Sequence, residues 1–97
     1  MLLFSCGESQ LSWDIERREI KQKIVLGMSE DDVRDKFGKP QYEYTKENAP
    51  KNYYIDGYSN KKRYISNKVL IYIFTEPIAY IWINDKGKVE EFYVGGS

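Results

Sequence analysis

The sequence predicts an α+β fold: two N-terminal helices packed on one face of a three-stranded antiparallel β-meander. Three observations predict it. Apolar residues recur at helical spacing between Leu11 and Leu26. A helix-start signal flanked by glycine occupies residues 27–33. Two runs rich in β-branched and aromatic residues fill 69–74 and 78–83.

The first helix is predicted over Leu11–Leu26, with Ser12 as its cap and Trp13, Ile20 and Ile24 on one face. Residues 1–10 are expected to form a flexible N-terminus. The sharpest local signal is Gly27-Met28-Ser29-Glu30-Asp31-Asp32-Val33. Gly27 suits the left-handed conformation that ends a helix. Ser29 is an N-cap, and Met28 and Val33 bracket it as a hydrophobic staple. Glu30, Asp31 and Asp32 lie in the first turn, where the helix dipole favours negative charge. That local role, rather than metal binding or acid–base chemistry, is the prediction for these carboxylates. The second helix runs to Phe37, where Gly38 stops it and Pro40 prevents its resumption.

Residues 41–68 read as a long, polar, tyrosine-rich connection with a short edge strand at Asn52–Ile55. Thr75-Glu76-Pro77 makes the first turn of the meander. Asn84-Asp85-Lys86-Gly87 makes the second, with Gly87 left-handed, and leads into a strand from Lys88 to Val94. Alternation then assigns the faces. Val69, Ile71, Ile73, Ile81 and Ile83 are expected to pack against Ile20, Ile24, Val33 and Phe37. Leu70, Tyr72, Phe74, Tyr80 and Trp82 are left on the other face, which is more apolar than the second face of a small sheet usually is. Two covers are open for it. One is the tyrosine-rich connection. The other is a partner anchored on Tyr72, Tyr80 and Trp82 and guided by the basic tract Lys61, Lys62 and Arg63.

Composition narrows the function. Ninety-seven residues make one domain, expected over 11–97. An apolar fraction of 41% and a charged fraction of 31% describe a globular chain. Formal charge is zero, which argues against a broad nucleic-acid footprint. The charges are nevertheless segregated. Residues 8–35 carry eight acids and five bases, a net of −3, and residues 46–68 carry six bases and two acids, a net of +4. The chain has no histidine, so it lacks the commonest general base and metal ligand. No nucleophile elbow, phosphate-binding loop or Cys-x-x-Cys occurs. No catalytic residue, metal site or cofactor is expected.

The N-terminal residues suggest where the protein works. Leu3-Phe4-Ser5-Cys6 reads like the end of a lipoprotein signal, with a small residue before a thiol that would carry lipid. The short segment before it is read as a truncated signal remnant. No run approaches the roughly 20 apolar residues of a spanning helix. Lipid anchoring at Cys6, rather than spanning, is the expectation.

Together, Lys23-Ile24-x-x-Gly27-Met28-Ser29-x-x-x-Val33, then Phe37-Gly38-x-Pro40, then a meander closing on Asp85-Lys86-Gly87-Lys88-Val89 resembles the SmpA/OmlA (BamE-like) family of small outer-membrane lipoproteins. The resemblance covers roughly Ile20 to Val94. It implies two helices on a three-stranded sheet, a lipidated cysteine and an outer-membrane anchor facing the periplasm. It also implies a role as an accessory of β-barrel assembly, touching an envelope protein and anionic phospholipid. Two functional readings follow. One is a non-enzymatic envelope scaffold. The other is a periplasmic or secreted inhibitor or immunity-type protein of the same fold. A cytoplasmic interaction domain starting at Met1 is a third.

Overall fold

The computed structural model describes residues 5–50, 53, 64–75 and 77–96, the side chains of residues 5–13 and 96 excepted. The elements in chain order are α1 (Ser5–Lys23), α2 (Glu30–Phe37), β1 (Tyr42–Thr45), β2 (Lys68–Ile73), β3 (Pro77–Ile83) and β4 (Val89–Gly96). The class is α+β, as predicted. Among the described residues the sheet has four strands rather than three, antiparallel throughout in the order β1-β2-β3-β4. The additional strand is β1, inside the stretch read as connection. The edge strand expected at Asn52–Ile55 lies outside the described residues apart from Tyr53, which is in no regular element.

Helix α1 starts six residues before the predicted Leu11 and ends three before Leu26. Ser12 therefore lies inside the helix instead of capping it, and helical backbone reaches into the expected flexible N-terminus. Of the predicted apolar face, Ile20 and Ile24 are buried against the sheet. The side chain of Trp13 lies outside the described residues.

Between the helices the cap and staple fold as read, but Gly27 lies in a turn four residues past the end of α1 rather than terminating it. Gly27 takes φ +89°, in the left-handed region open to glycine. Ser29 caps α2, its Oγ accepting from the Asp32 N–H at 3.1 Å. Val33 is fully buried and Met28 packs against the same cluster. Gly38 ends α2, its N–H donating to the Arg34 carbonyl at 2.8 Å, and Pro40 is buried just beyond.

The sequence reading treated this segment and the 84–87 turn as separate signals; in the structure they are one unit. The Gly27 N–H donates to the Val89 carbonyl at 2.8 Å, and the Val89 N–H donates to the Met28 carbonyl at 2.9 Å. The Glu30 N–H donates to the Gly87 carbonyl at 2.9 Å. The inter-helix segment thereby occupies the outer edge of β4 at its start. Further along, Arg17 Nε donates to the Val94 carbonyl at 3.0 Å. An edge strand offers unpaired backbone groups to other chains, and here α1 and the segment after it take up part of that edge.

The predicted faces need correction. Residues 73 and 78 are partners, and the Phe74 N–H donates to the Pro77 carbonyl at 2.9 Å. Partners along this hairpin therefore have opposite parity, one residue off the register that a Thr75-Glu76-Pro77 loop would set, in which Phe74 would partner Ile78. A one-residue slip turns a strand's side chains to the opposite face. In β2 the even positions Leu70 and Tyr72 face the helices, whereas in β3 the odd positions Ala79, Ile81 and Ile83 do so. The second face holds Val69, Ile71, Ile78, Tyr80 and Trp82. A register shift at Glu90 places Val89 beside Ile83 while Phe92 stays beside Ile81, so both join the helix-side core.

Candidate functional site

Every residue of β3 is buried, which requires a cover on both sides of the sheet. Helices α1 and α2 cover one. The other is covered by Tyr44 of β1, Ala49, Tyr53 and Ile65, all packed on the second cluster. Trp82 retains 3% exposure. Its indole N–H donates to the Tyr53 hydroxyl at 3.0 Å, so the one polar atom of the side chain is satisfied from the covering segment. Tyr80 and Trp82 stack at 6.0 Å between ring centroids, and Tyr44 meets Tyr53 at 6.5 Å.

This arrangement decides between the two expected covers for the described residues. Tyr80 and Trp82 share the second face, but the chain itself buries them. Tyr72 is on the opposite face, against Phe37 at 5.5 Å, with its hydroxyl donating to the Gly38 carbonyl at 2.8 Å. The three aromatics proposed as partner anchors therefore do not form one exposed surface. Burial holds the Tyr72 hydroxyl above its ordinary pKa. Lys61, Lys62 and Arg63 lie outside the described residues. Cys6 is in the first turn of α1, and its side chain lies outside the described residues.

A polar cluster not predicted from sequence joins the helix layer to the cover. Glu30 and Arg34 of α2, Glu43 of β1 and Lys68 of β2 form a closed ring in which each cation touches both carboxylates. Arg34 Nη2 lies 2.9 Å from Glu30 Oε2 and 2.8 Å from Glu43 Oε1. Lys68 Nζ lies 3.1 Å from Glu30 Oε2 and 3.1 Å from Glu43 Oε2. The Arg34 bond, then that of Lys68, outweighs burial and holds the Glu43 carboxyl below the usual range. Burial pushes Lys68 down, but its bonds to Glu43 and Glu30 prevail and raise it. The same carboxylates, Glu43 first, raise Arg34.

The first-turn carboxylates thus have unequal roles. Glu30 is a ring member as well as a favourable charge at the start of α2. Its i,i+4 spacing to Arg34 was the one local trace of the ring. Placing Glu43 and Lys68 beside that pair required the β1–β2 register, in which Glu43 partners Leu70 and Thr45 partners Lys68.

Chemically, the described site pairs cations with carboxylates and phenol with indole. No family model, curated protein or solved structure matches this chain.

Proposed function

We propose that this chain is a non-enzymatic binding module of the bacterial cell envelope, anchored by lipid on Cys6 and serving as a scaffold for an envelope protein. On this reading it belongs with the SmpA/OmlA-like lipoproteins and assists β-barrel assembly at the outer membrane, with anionic headgroups beside its anchor. The observation that carries the reading is the docking of residues 27–30 onto Gly87-Lys88-Val89 through three backbone hydrogen bonds. The two halves of the motif behind the resemblance are one mechanical unit, which supports reading them together. The Leu3-Phe4-Ser5-Cys6 sequence supplies the anchor. A lipid-modified thiol with more than one acyl chain holds a protein stably at a membrane, whereas one chain does so marginally.

Mass spectrometry of the protein expressed from its native gene tests this. The expected mature chain begins at Cys6 and carries diacylglycerol, and Cys6→Ser moves the protein out of the membrane fraction. A free thiol at Cys6 with upstream residues retained contradicts the anchor. Cleavage at another position, giving a protein free in the periplasm, favours the inhibitor reading.

A further inference from the structure

We propose that the Glu30–Arg34–Glu43–Lys68 ring is a clasp. It holds β1 and the cover that follows, residues 46–50 and Tyr53, onto the sheet. This unit opens ahead of the helix-backed core when the Glu43 charge is lost, lifting Tyr53 from Trp82. The inference does not depend on the envelope reading.

The two sides of the sheet are closed by different means. On the helix side, α2 is fixed by the Ser29 cap, by fully buried Val33 and by the backbone bonds to the 84–87 turn. On the other side, the cover starts from a four-residue strand at the sheet edge, in which Tyr42 and Glu43 are exposed and Tyr44 and Thr45 half-buried. Segments with little apolar burial and solvent-exposed backbone bonds are the ones that open locally. Beyond β1, described polar links from the covering residues to the sheet include the Tyr53–Trp82 bond and, next to Ile65, the bond from the Ser66 hydroxyl to Glu90 at 2.9 Å. The Asn48 side chain and backbone fold residues 46–49 back on Thr45, so this stretch moves with β1.

The ring is divided unequally between these parts. Glu30 and Arg34 sit on α2 and Lys68 at the start of β2, so Glu43 is the one member that belongs to the cover. Removing its charge leaves Arg34 and Lys68 bonded to Glu30. The groups facing Glu43 are Arg34 and Glu30 from α2 and Lys68 from β2, with the Tyr72 hydroxyl also sensing the cluster. Glu43 titrates below the usual carboxylate range. Its contribution is therefore complete above that range and lost as pH falls through the lowered value. Lys68 is raised, so its contribution is present below the usual lysine range and lost only at more alkaline pH. The clasp is closed at neutral pH and opens on acidification.

Hydrogen exchange on the full chain, followed by peptide, tests the clasp. In Glu43→Gln, exchange across 42–49 is expected to rise roughly two- to fivefold, the scale of a partly exposed ion pair. Exchange across 79–83 and α2 stays unchanged. On acidifying the wild type, exchange in 42–49 rises before that in 79–83 once rates are corrected for intrinsic chemistry. A parallel rise in 42–49 and 79–83, or no rise in either, overturns the proposal. Should Glu43→Gln fail to fold, the wild type in low urea decides the matter. Residues 42–49 must then open roughly tenfold more often than 79–83, and equal rates overturn the clasp.

Discussion

Trp82→Ala is expected to destabilise the fold by about 3–5 kcal/mol, the usual cost of deleting a buried Trp or Phe side chain. The side chain is 3% exposed, stacks on Tyr80 and donates to Tyr53. Its removal leaves a void under the cover and takes away a hydrogen bond to Tyr53. For a domain of this size each kcal/mol lowers Tm by roughly 4–8 °C, so the loss is readily seen by thermal or urea denaturation. On the earlier expectation that Trp82 anchors a partner, truncation would weaken binding and leave the folded chain intact. A Trp82→Ala protein with wild-type stability would restore that expectation.

The second large effect is predicted one residue earlier. Ile81 is fully buried on the helix side, in the cluster with Ile20, Ile24, Val33 and Leu70. Ile81→Ala is expected to cost about 2–5 kcal/mol. Because neighbouring strand residues face opposite ways, the two variants report on different cores. Ile81→Ala loosens the packing of α1 and α2 and speeds exchange throughout β3. Trp82→Ala acts first on the cover and speeds exchange in 42–49 more than in α2. Identical exchange patterns for the pair would mean that the sheet does not separate two layers.

Legibility in the sequence followed the range of each interaction. The Ser29 cap, the left-handed Gly27 and Gly87 and the stop at Gly38 depend on a few neighbouring residues, and all were readable. The boundaries of α1 were less so. Its predicted cap, Ser12, is an ordinary helix-interior position once the backbone is helical from Ser5. The sheet faces differ from expectation because they depend on whether Ile73 or Phe74 partners Ile78, which the apolar run leaves ambiguous. That one-residue difference moved Tyr72 to the helix side and separated it from Tyr80 and Trp82.

The high tyrosine content was ambiguous for a related reason. A phenol suits an exposed binding face or a buried position with a partner for its hydroxyl, and composition does not distinguish the two. The structure uses Tyr72 and Tyr53 in the second way, against a backbone carbonyl and an indole. The ion ring was legible only in its Glu30–Arg34 half. Its other half comes from β1, a strand of four residues without the β-branched run that marks β2 and β3.

The central claim is that the chain covers its own aromatic sheet face, and the Tyr53–Trp82 contact tests it most directly. In the NMR spectrum of the folded protein, the Trp82 indole N–H is predicted to show a nuclear Overhauser effect to the Tyr53 ring and slow exchange with solvent. A rapidly exchanging Trp82 indole N–H without that cross-peak would contradict the account.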